Sequence, residues 1–180
     1  SENPSPEEVG IVRMEEMLRV AEIIGISRDN IICLKFPDGD LKNHIDECRI
    51  KVRKIVSNIR PDEIYIPHRD THPDHTAAHN IVMPDAEGVS FPLRIRKYIT
   101  WIVTKYVNCE DSDDSTANGF IDDPRLASHD ISEWLVQKNQ AIDMYASQIT
   151  EFWESQKGKG VILDADFLRP FRENSFEQFL

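Results

Sequence analysis

The chain is short of positive charge. Its 21 Lys and Arg residues stand against 32 Asp and Glu, a formal net charge of −11 at pH 7. A surface of that sign repels phosphate, and the basic residues are interleaved with acidic ones, so nucleic acid is excluded as the main partner. Cysteine is scarce as well. Cys33, Cys48 and Cys109 are odd in number and widely spaced, which fits neither a disulfide framework nor a CxxC metal site. Cys33 and Cys48 fall within apolar patterns and are expected to be buried small hydrophobes, with a reducing cytoplasm the simplest compartment. Long apolar runs are missing, so no segment is expected to span a membrane. The opening SENPSPEEVG has neither the basic nor the apolar region of a secretory signal. No internal repeat or low-complexity tract is visible.

What is present fits one domain with a real core: 180 residues, 40% of them apolar. Ser5-Pro6-Glu7-Glu8 predicts a helix start, with Ser5 as N-cap, proline at the first position and Glu8 closing a capping box. Val9, Val12, Met17, Ala21 and Ile24 recur at helical spacing, and Gly25 is a natural stop. Asn30 to Phe36 suits a buried strand, and Pro37-Asp38-Gly39-Asp40 a turn. Leu41 to Ile59 marks a second helix, ending before Pro61, and Glu63 to Pro67 a second strand. A third helix is expected from about Asp74 towards Asp85, then a strand over Lys97 to Val107. Cys109 to Pro124 reads as an acidic surface loop. Asp130, with Glu133 three residues on, predicts the cap of a helix reaching Phe152. GVILDADF is expected as a last short strand, and Trp101, Trp134 and Trp153 as interface or core residues, core being the default. Helix, strand, helix, strand at this spacing is the pattern of an α/β domain with a mostly parallel sheet.

In such a sheet, ligands collect at the carboxyl ends of strands. Two segments are expected to leave such ends: PDGD and PHRDTHPDH. Four of the six histidines lie between His68 and His79. Imidazole is the commonest neutral nitrogen ligand and suits zinc beside carboxylate oxygen. In His72-Pro73-Asp74-His75 one histidine can bind metal while the carboxylate orients a neighbour. The other is left to stabilise an oxyanion. His75 and His79 are spaced i, i+4 and share a helix face. Composition and spacing alone leave two readings open, a metal site and an ordinary set of loop histidines. His44, among charged neighbours, reads as solvated, and His129 as structural or pocket-lining.

PHRDTHPDHTAAH resembles the second metal motif of the PIG-L/LmbE-like zinc-dependent de-N-acetylases. Arg13-Met14-Glu15-Glu16 with Ala21 and Ile24-Gly25, Phe36 to Leu41, and Asp130-Ile131-Ser132 with Lys138, Ala141 and Tyr145 to Gln148 resemble further segments of that family, in order along the chain. The resemblance implies a Rossmann-like three-layer fold and a zinc-activated water that removes an N-acetyl group from an N-acetylglucosamine-type substrate. Zn2+ (or another divalent metal) would be the cofactor. By the same resemblance His75 is a metal ligand, His72 the oxyanion or leaving-group partner, and Asp74 an orienting residue. Arg13, Asp38 and Asp70 fall on the substrate side. The family's other metal motif, A-H-P-D-D-E, belongs before Arg13 and is not in this sequence. Residues 1–180 are therefore expected to be the C-terminal portion of a longer deacetylase-like protein, lacking the N-terminal strand region. A homo-oligomer stays open. The alternatives are a non-catalytic sugar-binding or interaction protein of the same fold that has lost the metal site and, third, a metal-dependent phosphoesterase.

Overall fold

The computed structural model of the chain describes residues 4–69, 72–86, 88–98, 127–158 and 160–179, with the backbone alone for 85 and 86. The chain divides into two compact units. The first joins Ser1–Lys35 to Asp130–Glu177, and the second runs over Phe36–His129 with Gln178–Leu180.

The first unit is built on helices. α1 (Pro6–Ile23) starts as the sequence predicts: the Ser5 hydroxyl accepts the Glu8 N–H, and the Glu8 carboxylate accepts the Ser5 N–H. It ends on Gly25 at φ 78°, where the Gly25 N–H donates to Glu22 and the Ile26 N–H to Ala21. This double closure needs the left-handed backbone that glycine adopts without a Cβ penalty. α4 (Leu135–Asp143) packs on α1, and α6 (Ala165–Glu173) packs on α4. Between them lies the single turn α5 (Ala146–Ile149). Ala21, Ala141 and Leu168 are buried here together with two polar residues, Glu16 and Ser147.

The second unit carries the strands β1 (Glu63–Pro67) and β2 (Arg94–Tyr98), with α2 (Ile45–Ile59) and α3 (Pro73–Ala86). α2 packs on α3, and α3 on β1. Cys48 and Val56 of α2, Ala77 and Ile81 of α3 and Ile66 of β1 are buried. Ala77 and Ile81 are one helical turn apart, so one stripe of α3 meets the sheet. β3 (Ala127–Asp130) and β4 (Phe176–Phe179) complete a four-stranded sheet in the order β1-β2-β4-β3.

That sheet corrects the expected Rossmann-like, mostly parallel arrangement. β1 and β2 run parallel, Glu63 opposite Arg94 through Pro67 opposite Tyr98, but β2 pairs antiparallel with β4 at Tyr98 and Phe179. The sheet is mixed and mainly antiparallel. The cause is the C-terminal strand, which enters between β2 and β3 in the reverse direction.

Several local expectations also differ. Asn30 to Phe36 forms no strand: it follows a 3-10 turn (Arg28–Asn30), and Lys35 takes a left-handed backbone at φ 56° that interrupts an extended run. Asp130 ends β3 instead of starting a long helix. Its carboxylate accepts the Ser132 N–H and O–H, capping a 3-10 turn (Ser132–Trp134) before α4. The helix then breaks at Tyr145 and stops at Ile149, short of Phe152. GVILDADF becomes the entry to α6, because the Asp164 carboxylate accepts the Phe167 N–H as an N-cap. Of the strand expected over Lys97 to Val107, only Lys97 and Tyr98 fall in the described residues, where they end β2 (Arg94–Tyr98); the rest of it, with the expected acidic loop, Trp101 and Cys109, lies outside them. Cys48 is buried as expected, whereas Cys33 is exposed. Trp134 is exposed rather than core.

Candidate functional site

α3 begins where β1 has just ended, so the loop between them carries the histidine-rich segment to the N-terminus of a helix. Pro73 occupies the first helical position, where its missing N–H costs nothing. His72 acts as the cap: its Nδ1 accepts the Asp74 N–H at 3.2 Å, and its carbonyl accepts the Thr76 N–H at 3.3 Å. With Nδ1 as acceptor, the ring proton stands on Nε2. The His75 ring lies beside it, centroids 4.6 Å apart.

Asp74 points elsewhere. One carboxylate oxygen accepts the Gly39 N–H at 2.6 Å and the other accepts the Leu41 N–H at 3.1 Å. The PDGD turn is thereby tied to the start of α3. Gly39 stands at φ 76°, which the turn requires. Behind the turn, the Asp40 carboxylate accepts from the Asn43 side chain at 2.5 Å and lies 3.4 Å from His44 Nε2. The His44 ring packs on Phe36, whose face also carries the Lys51 ammonium at 4.7 Å. His44 is thus partly packed, not simply solvated.

The loop after β1 is held from a second side. The Arg69 guanidinium donates to His79 Nδ1 at 3.1 Å and to the Asn80 side-chain oxygen at 2.6 Å, while Arg49 donates to the Asn80 carbonyl at 2.9 Å. Burial, and then the positive charge of Arg69, push the His79 pKa down to about 4. A ring that accepts from a guanidinium cannot hold a proton on the same nitrogen, so geometry and electrostatics agree.

Of the six expected site residues, the structure brings His72, Asp74 and His75 together at the head of α3, with Asp38 on the tethered turn. Arg13 lies half-buried on α1 in the first unit, and Asp70 lies outside the described residues. His129 is exposed on β3 with its ring 5.6 Å from that of Phe179. Among the described residues, no three His, Cys, Asp or Glu side chains are gathered so as to hold a metal ion. The donors described therefore do not by themselves make up a zinc site. His75 is the expected ligand, the Nδ1 of His72 is engaged by the helix, and both Asp74 oxygens by the turn. No helix among the described residues is long and apolar enough to cross a membrane.

One polar contact went unassigned in the sequence. Glu16, 2% exposed, accepts the Ser147 N–H and O–H, both at 2.7 Å. It joins two of the segments that resemble the de-N-acetylase family. The available signal was position: Glu16 lies seven residues after Val9 and four after Val12, inside the apolar stripe of α1.

Comparison with known proteins places this arrangement. Residues 1–85 match the family model PIG-L, GlcNAc-PI de-N-acetylase. The matched span takes in α1, the PDGD turn, α2, β1 and the His72–His75 segment, and stops within α3. A solved structure, the conserved protein TT1542 from Thermus thermophilus, is similar at 22% identity and a TM-score of 0.58, over 99% of this chain and 74% of that one. At that identity the likeness concerns the fold. The chain thus has a partial PIG-L/LmbE-like match, over residues 1–85.

Proposed function

We propose that this chain binds an amino-sugar ligand at the head of α3 without catalysing its hydrolysis. One observation carries the reading. The carboxylate of the HPDH segment is taken up by two backbone N–H groups of the PDGD turn. Gathered around it are polar groups able to hydrogen-bond: His72, whose ring lies beside that of His75, and Asp38 on the tethered turn. Such groups suit the hydroxyl and acetamide oxygens of an N-acetylated sugar. The family match over residues 1–85 supports the ligand class.

The same match favours a second reading, metal-dependent removal of the N-acetyl group with Zn2+ as cofactor. Calorimetry with N-acetylglucosamine, acetate release with and without added Zn2+, and elemental analysis separate the two. Binding that survives a chelator, with no acetate released and zinc well below one per chain, is the expected result. One zinc per chain with acetate release would establish the hydrolase, and no binding at all would remove the sugar ligand.

A further inference from the structure

The short helical turn Leu41–His44 has an N-cap residue that does not cap it. Asp40 makes no side-chain bond to a backbone N–H of that turn. Its own carboxylate is occupied by Asn43 Nδ2 and lies beside His44. The exposed N–H groups at the head of a helical turn need an acceptor, which an N-cap side chain ordinarily supplies. Here the acceptor comes from 33 residues further along: Asp74 Oδ1 takes the Leu41 N–H at 3.1 Å, and Asp74 Oδ2 takes the Gly39 N–H at 2.6 Å. The same residue's N–H is the group that His72 caps.

We infer that Asp74 is a positioning residue that caps the Leu41–His44 turn in trans, and through it sets where Asp38 stands for a ligand at the head of α3. The bonds are charge-assisted, the stronger kind. They grip the two N–H groups that flank Asp40, directly after Asp38. Without them the turn loses its two charge-assisted bonds, and Gly39 allows it a wide choice of backbone angles. One residue therefore couples two parts of the site. Its carboxylate holds the turn, and its N–H fixes the proton of His72 on Nε2. The second half of the inference, the effect on ligand, rests on the proposed sugar binding; the first half does not.

Amide hydrogen exchange by NMR and calorimetry with N-acetylglucosamine test the two halves separately in the full chain. In Asp74→Ala the Gly39 and Leu41 amides should exchange at least about 10-fold faster, while the amides of the buried Ala77 and Ile81 keep their protection and show that the fold persists. Asp74→Asn, which keeps one carbonyl acceptor, should fall between that variant and the wild type. Kd for the sugar should rise about 5- to 20-fold in Asp74→Ala. Asp38→Ala should weaken binding with the Gly39 and Leu41 amides unchanged, which a general loosening of the fold would not reproduce. Unchanged Gly39 and Leu41 exchange in Asp74→Ala overturns the capping role whether or not sugar binds. Faster exchange with an unchanged Kd overturns the positioning role. A wild-type protein that binds no sugar but shows the exchange effect removes the proposed ligand and leaves the cap standing.

Discussion

Replacing Glu16 should reveal how much stability a single buried carboxylate contributes to the helical unit. Glu16 is 2% and Ser147 1% exposed, so water does not substitute for either partner. The carboxylate accepts two bonds at 2.7 Å, one from a backbone N–H and one from a hydroxyl. A hydrogen bond to a charged group contributes about 1.5–3 kcal/mol net, and a buried donor left unpaired costs about 1–3 kcal/mol. Glu16→Ala loses both bonds and strands the Ser147 N–H, so unfolding stability should fall by about 3–5 kcal/mol. Glu16→Gln is a gentler change. Its oxygen can accept the Ser147 N–H, and its amide can donate to the hydroxyl oxygen, leaving a loss of about 1–2 kcal/mol for the missing charge. For a chain of this length each kcal/mol moves Tm by about 2–4 °C, so the alanine variant should melt roughly 10 °C lower. Urea unfolding followed by tryptophan fluorescence suits the test, because Trp134 and Trp153 both belong to the unit that holds Glu16. A double-mutant cycle with Ser147→Ala should give a coupling of at least about 1 kcal/mol. An alanine variant within 1 kcal/mol of the wild type (roughly, on the same scale), or a cycle with zero coupling, would refute the reasoning.

Three further outcomes are expected. His79 has its folded-state pKa lowered to about 4, against an ordinary 6.5. Its contribution is therefore fully present above pH 6.5 and is lost as pH falls from there towards 4, where the unfolded ring protonates and the folded one resists. A shift of that size is worth about 3 kcal/mol for a sealed group, cut to about 1–2 kcal/mol by partial exposure; urea titrations at several pH values on wild type and His79→Gln should show that slope disappear in the variant. Gly10 lies inside α1 and Gly25 at its end with φ 78°, and neither would bring a Cβ within 4 Å of a neighbour. Gly10→Ala should accordingly stabilise by about 0.5–1 kcal/mol and Gly25→Ala destabilise by about 1–2 kcal/mol, and melting curves in which the two shift the same way would contradict the assigned backbone. Mass-mapped alkylation at pH 8 should label exposed Cys33 well before Cys48, whose thiol is buried and pushed up in pKa by that burial.

The elements legible in the sequence were those whose signals are local. Ser5, Pro6 and Glu8 write the start of α1 within four residues, Gly25 writes its end, and EIYIP between Pro61 and Pro67 leaves little choice but a strand. The run from Asn30 to Phe36 misled because an apolar heptapeptide becomes a strand only when a neighbour takes up its backbone groups, and Lys35 turns the chain out of line. In GVILDADF the apolar letters outweighed Asp164, the one residue with a cap to form. The direction of β4 was not legible at all, since nothing in FEQF states which strand it will join. The site divides in the same way. The spacing of His72, Asp74 and His75 announced a cluster at the head of a helix, yet the task of Asp74 depends on Gly39 and Leu41, and that of Glu16 on Ser147. Those partners are chosen by the fold.

The joining of Ser1–Lys35 to Asp130–Glu177 also orders events during synthesis. The buried residues of the second unit, Cys48, Val56, Ile66, Ala77 and Ile81, all leave the ribosome before the helices that complete the first. α1 is made before them and must wait, because Ser147, the partner of Glu16, emerges 131 residues later. The contact that locks the first unit is thus among the last it can make, after every buried residue of the second unit has emerged.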